Sequence, residues 1–206
     1  MKNLFLLLLI TTITACSQQN SFTKEQQALL DTAKEAQHKL NVQYADKEKS
    51  PLTDEDFKTF RSLDFYPINL KYTIKATFVK NEFPVPFEME TTTDRKPIYQ
   101  KYGTLHFTLD GVSCELPVYQ NMAKDIPVEY KNHIFVPFTD LTTGKESYGG
   151  GRYVDLELPF DTTVIVDFNS AYNPYCAYNH KYSCAVPPKE NDLKVAIKAG
   201  VMKFHD

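Results

Sequence analysis

The apolar positions along this chain change period twice. The first run is continuous: Leu4 to Ile10 reads LFLLLLI behind the single positive charge of Lys2. Its length suits the apolar part of a secretory leader and falls short of the ~20 residues that a spanning helix needs. A helical period follows. Leu29, Ala33, Ala36, Leu40 and Tyr44 recur at helical spacing and predict one amphipathic helix over about Lys24 to Tyr44. Thr23 and Gln26 supply the capping box that starts it. The charged run Asp46 to Lys49 is a solvated exit, broken by Ser50-Pro51. Thr53 can cap a second short helix, with Asp54 and Glu55 at its positive end and Phe57, Phe60 and Leu63 on its buried side.

From Leu70 the period becomes two. Leu70, Tyr72, Ile74 and Ala76 alternate with polar neighbours, as in a strand with one wet face. Phe87 to Glu90 reads as another strand. Leu105 to Leu109 and Val112 to Leu116 flank Asp110-Gly111, the strong two-residue hairpin signal. Ile134 to Phe138, Tyr153 to Leu158, Thr163 to Phe168 and Leu193 to Ile197 complete the expected strands. The fold class that follows is α+β, mainly β: N-terminal helices, then an antiparallel sheet forming a sandwich or partial barrel. The expected organisation is a leader over 1–15, a tether over 16–20, a helix and linker over 21–50, and one β-rich domain over 51–206.

The leader changes the picture of where this domain works. Ile13, Thr14 and Ala15 place small residues before Cys16, the order found at lipidation sites of bacterial lipoproteins. The mature chain is expected to begin at a lipidated Cys16, held to a membrane by fatty chains. The expected location is the cell envelope, at the outer membrane or cell surface rather than the inner membrane. The chain of 206 residues carries a net charge of −3, and loss of Lys2 makes it one unit more negative. Mild acidity excludes nucleic acid as an expected partner, since phosphate binding wants a basic face. With 13 Tyr, 14 Phe and 12 Pro against 7 Gly, the body suits a β-rich domain with stiff loops.

Candidate chemistry concentrates in the last third. Gly149 to Gly151 precede a strand carrying Arg152, Asp155 and Glu157 and read as a tight bend. Thr142 to Ser147 only mimics a phosphate loop, because Thr139 and Glu146 stand where Gly and Ser or Thr belong. Asp155 with Glu157, and Asp167 with Asn169, share strand faces, and Arg152 is the expected partner for inward-facing acids. The stretch NPYCAYNHKYSC, from Asn173 to Cys184, sets two cysteines around His180. In an oxidising envelope Cys176 and Cys184 are expected to pair, a link worth about 2–3 kcal/mol. A zinc site of Cys176, His180 and Cys184 would need a distant fourth ligand such as His106, His133 or Asp155. A Cys176 nucleophile beside His180 is the third reading. Cys114 on an inward hairpin face is a small buried hydrophobe.

Four words of mixed polarity stand out: SPLTDEDFKTFRSLDFYP from Ser50, FVPFTDLTTGKESYGGGRYVDL from Phe135, VDFNSAYNPYCAYNHKYSC from Val166 and VPPKENDL from Val186. Over about Ser50 to Phe204 they resemble the bacterial domain-of-unknown-function family numbered 1684. Ala185 departs from the pattern, where proline is expected after the second cysteine. The resemblance implies a one-domain, β-rich protein, often of the envelope or secreted, and implies no activity and no cofactor.

Two functions are compared. One is a binding or accessory module whose ligand is a small polar or carbohydrate-like molecule or an envelope protein, taken in a cleft lined by Tyr148, Arg152, Tyr172 and Tyr178. Asp155, Asp167, Asn169, Asn173, Glu190 and Asn191 complete the candidate ligand-binding set, although a purely structural hydrogen-bond network that fixes two loops is the slightly favoured account of them. The other is a hydrolase using Asp155, Asp167 or Glu190 as acid or base, with or without a metal. An enzyme should present two carboxylates with shifted pKa values to an open pocket; a binding module should show aromatics and a single Arg there, with the acids already paired.

Overall fold

The computed structural model describes residues 22–205. The leader, Cys16 and the tether lie outside the described residues. Helix α1 spans Lys24–Ala45 and starts with the expected capping box: Gln26 N–H donates to Thr23 Oγ1 at 3.1 Å, and Thr23 N–H donates to Gln26 Oε1 at 3.0 Å. Helix α2, Asp54–Thr59, is capped by Thr53.

Seven strands follow: β1 Thr73–Lys80, β2 Pro86–Glu88, β3 Ile98–Leu109, β4 Val112–Asn121, β5 His133–Phe138, β6 Arg152–Glu157 and β7 Thr163–Asp167. They form an antiparallel sheet in the order β6-β5-β4-β3-β1-β7, with β2 paired to β3, curled into a half-barrel. The β3–β4 hairpin turns on Asp110 and Gly111, both at positive φ (52° and 76°). A type I′ turn demands that backbone, and Asp-Gly supplies it. Leu70–Tyr72 forms a 3₁₀ turn instead of the first residues of a strand, and β1 begins at Thr73.

The segment Leu193 to Ile197 corrects the sequence reading. It is not a strand of the sheet. Leu193, Val195, Ile197 and Ala199 are buried in the main core with Leu105, Leu116, Val136, Val154 and Val166. The segment's backbone bonds go to a loop: Leu193 N–H donates to Thr139 O at 2.8 Å, and Leu141 N–H donates to Val195 O at 3.0 Å. Alternation here records burial beside the sheet, without a ladder.

A second core joins the helical and C-terminal parts. Tyr44, Leu52, Leu63, Tyr178 and Val201 are buried together, with Phe57, Phe60 and Phe204 packed against them. Tyr44 and Tyr178 meet edge to face, their centroids 4.8 Å apart, a favoured aromatic geometry. Helix α1 is therefore fixed to the NPYCAYNHKYSC stretch. Among the described residues, no helix is long and apolar enough to cross a membrane.

Candidate functional site

The strand pleat sends Arg152 inward and Asp155 outward, because an offset of three residues changes face. Arg152 is 1% exposed and donates to Asp140 Oδ2 at 2.7 Å, Ile197 O at 2.7 Å and Ala199 O at 2.5 Å. Its carboxylate partner is thus Asp140, and the expected pairing with inward acids does not form. Asp140 also accepts from Thr142 N–H at 2.6 Å. The short loop Asp140-Leu141-Thr142 thereby aims the carboxylate at the guanidinium. That aspartate turn, visible in the spacing, is the signal by which Asp140 could have been found. Gly151 sits at φ 83°, and a Cβ there would lie 2.6 Å from Phe138 O. Only glycine lets the chain turn into β6 so close to β5, as the bend at Gly149 to Gly151 requires.

The other polar candidates are mostly knitted into the fold. Asn169 is fully buried; its Oδ1 accepts from Asn69 N–H at 2.9 Å, and its Nδ2 donates to Asp167 Oδ1 at 2.8 Å. Asn191, also fully buried, donates to Pro117 O at 2.9 Å and Pro137 O at 2.7 Å. Asn173 donates to Met202 O at 2.9 Å. Glu190 accepts from Lys101 Nζ at 2.8 Å and from Tyr119 OH at 2.7 Å. Asp155 lies on the exposed face of β6, between His133 Nε2 and the Tyr172 hydroxyl, each at 2.8 Å. The structure disperses Asp155, Asp167 and Glu190 and gives each a partner. It brings no two of them to one open pocket.

What remains open is a cleft of about 570 Å³. Its walls are the loop at Ser147, Tyr148 and Gly149, the stretch from Cys176 to His180, the start of α2 at Thr53 and Asp56, and Lys203 with His205. Of the four residues expected to line a cleft, Tyr148 and Tyr178 do so, whereas Arg152 and Tyr172 lie elsewhere. Burial pushes the hydroxyls of Tyr148 and Tyr178 up to about 12, so both act as neutral donors at physiological pH. Asp56 accepts from Thr53 Oγ1 at 2.6 Å and lies 3.4 Å from His205 Nε2. Asp56, Lys203 and His205 were missed by the sequence reading. They come from segments far apart in the chain, and nothing in their local spacing marks them.

Cys176 lines this cleft, and Cys184 lies behind it. Cys176 sits in a 3₁₀ turn at Tyr175–Ala177, and its N–H donates to Cys184 Sγ at 3.2 Å. Both are free thiols. The staple expected from the compartment is not made in the structure; the Cys184 sulfur instead accepts from the Cys176 backbone. Among the described residues, no three or more His, Cys, Asp or Glu side chains are grouped to hold a metal ion. Cys176, His180 and Cys184 therefore do not form the zinc set considered from the sequence.

No curated protein matches the chain. Among solved structures, it is similar to an uncharacterised protein of Haloarcula marismortui determined by solution NMR. The two share 34% identity over 87% of this chain and 97% of that one, with a TM-score of 0.69. The family model described as a protein of unknown function, DUF1684, matches residues 58–202, from the last residues of α2 through the buried C-terminal segment, and leaves the cleft residues Thr53, Asp56, Lys203 and His205 outside. The chain belongs to the DUF1684 family.

Proposed function

We propose that this protein is a lipid-anchored component of the cell envelope whose folded body binds a small polar ligand in the Tyr148–His180 cleft. One observation carries the binding reading. The carboxylates that a hydrolase would use are already paired, while this cleft is lined by tyrosine hydroxyls, imidazoles, Lys203 and Asp56. Aromatic bodies with polar tips beside a few charged groups are the usual lining of a site for a small polar molecule. The order Lys2, apolar run, small residues, Cys16 supports the anchor.

Two experiments test the two halves. Metabolic labelling with a palmitate analogue should mark the protein and should fail in Cys16→Ser; an unlabelled wild-type chain removes the anchor. For the cleft, amide NMR with a library of small sugars, amino acids and carboxylates should shift resonances of Tyr148, Asn179 and His180. Shifts confined to Asp155 and His133, or turnover of the added compound, would replace binding with catalysis.

A further inference from the structure

Cys176 and Cys184 belong to two segments that are anchored independently. The 3₁₀ turn carrying Cys176 is held by Ala177 N–H donating to Pro174 O at 2.9 Å, and by Tyr175, whose hydroxyl accepts from Gln43 Nε2 at 2.5 Å. Cys184 is clamped to another part of the chain. Its N–H donates to Thr92 Oγ1 at 3.1 Å, and its carbonyl accepts from Thr92 N–H at 2.8 Å. Beside it, Arg95 donates to Ser183 Oγ at 3.1 Å and to Ser183 O at 2.9 Å. The two sulfurs are thus pressed together by the fold rather than by a bond between them.

Their surroundings suit one negative charge. Cys176 N–H points at Cys184 Sγ, the Tyr148 hydroxyl lies 3.8 Å from Cys176 Sγ, and the Arg95 guanidinium sits on the Cys184 side. The remaining S–H of the pair donates to the thiolate. The Cys184 hydrogen bond is the largest contribution, and with those of Tyr148 and Thr92 it outweighs burial and brings the Cys176 thiol down to about 6, whereas the Cys176 N–H and Arg95 act on Cys184. The hydrogen bond to Cys176, and then burial, push Cys184 the other way. The third described cysteine differs: Cys114 is buried in the main core, and burial pushes its thiol up. Cys176 also faces the cleft, which Cys184 does not line. One sulfur of the pair can be approached from outside, and the other waits behind it.

We propose that Cys176 and Cys184 are a reactive dithiol that exchanges with small disulfides of the glutathione type. Cys176 is the attacking sulfur and Cys184 the resolving one. The Cys176 thiolate attacks one sulfur of the disulfide; the Cys176–S–glutathione bond forms, the glutathione S–S bond breaks, and one glutathione thiolate leaves. Cys184 then gives up its proton and attacks the Cys176 sulfur. The Cys176–Cys184 bond forms, a second glutathione thiolate leaves, and the released proton ends on it. The dithiol is oxidised by two electrons and the small disulfide is reduced to two thiols. Exchange needs a thiolate whose pKa lies near or below the working pH, a partner at contact, and access. The cleft, the donors and the clamp on Thr92 provide all three, and the proposal does not depend on what else binds in the cleft.

The test uses the full chain, reduced and then mixed with oxidised glutathione at neutral pH, followed by acid quench and tryptic mass mapping. Cleavage after Arg152, Lys181 and Lys189 separates the two cysteines onto different peptides. The expected product is the cross-linked peptide pair, which reverts under excess reduced glutathione without denaturant. Cys184→Ser should accumulate a glutathione adduct on Cys176, and Cys176→Ser should react at least tenfold more slowly. Iodoacetamide labelling of Cys176 in Cys184→Ser should outpace that of Cys114 at neutral pH. In the reduced wild-type chain its rate should rise through a midpoint well below the ordinary thiol value of about 8.5. No cross-link, a cross-link that resists reduction in the folded state, or a labelling midpoint at or above the ordinary value would overturn the proposal. So would faster attack by Cys184 in the Cys176→Ser chain.

Discussion

Replacing Arg152 with methionine removes a buried cation while keeping most of the side-chain volume. The structure sets the expected cost. Asp140 is left as a carboxylate in a site where its own side chain and that of Arg152 are 0% and 1% exposed. Breaking one side of a buried ion pair costs about 3–5 kcal/mol. The carbonyls of Ile197 and Ala199 also lose their donor, and each unsatisfied buried group adds about 1–3 kcal/mol, with overlap between these contributions. We expect Arg152→Met to lose at least about 4 kcal/mol, a large part of the 5–15 kcal/mol typical of a domain. Urea unfolding followed by far-ultraviolet circular dichroism, fitted with a common slope, reads this directly. The double change Arg152→Met with Asp140→Leu removes both charges, and its cost should fall well short of the sum of the single changes. A loss below about 1 kcal/mol in Arg152→Met, or additivity in the double variant, would refute the idea that this pair holds the C-terminal segment in place.

Three further outcomes are expected. Gly151→Ala forces a Cβ onto Phe138 O at positive φ and should cost about 2–4 kcal/mol in the same urea assay. Thr23→Ala removes the capping box of α1 and should lower stability by about 1 kcal/mol, with increased amide exchange limited to the first turns of the helix. Burial alone would push the Glu190 carboxyl up, but Lys101 and Tyr119 outweigh it and hold the group below the usual carboxylate range. A depressed carboxyl stabilises the fold above its unfolded pKa of about 4.3, and that contribution is lost as pH falls through the folded value. Glu190→Gln should therefore flatten the fall of the urea midpoint between about pH 5 and 3, and an unchanged acid limb would count against the pairing.

The parts of the fold that the sequence makes legible are those decided locally. Asp110-Gly111 can turn only one way between two alternating runs, and Thr23 with Gln26 marks a helix start wherever it lies. Leu193 to Ile197 misleads because alternation reports which side is buried and is silent about what the backbone bonds to. Arg152 misleads for a different reason. Nearness in sequence suggested Asp155 and Glu157, yet the pleat of β6 already puts Arg152 and Asp155 on opposite faces. The cleft was half legible. Tyr148 and Tyr178 stand out within unusual stretches, whereas Asp56, Lys203 and His205 join them only after α2 and the C-terminal end are folded back against one wall.

The amide of Asn191 bridges the carbonyls of Pro117 on β4 and Pro137 on β5, where proline can offer no N–H to a ladder. This feature dictates when the protein can fold. The seam between the two halves of the sheet is closed by a residue that the ribosome delivers after every strand of the sheet, and Arg152 waits for carbonyls delivered later still. A nascent chain exposes an unsealed sheet until the segment from Asn191 to Ala199 emerges, and dense long-range pairing makes closure slow. Chaperones that hold the chain unfolded meet little competition from folding before then, and a chain truncated after Pro188 should be a substrate for proteolysis rather than a smaller version of the protein.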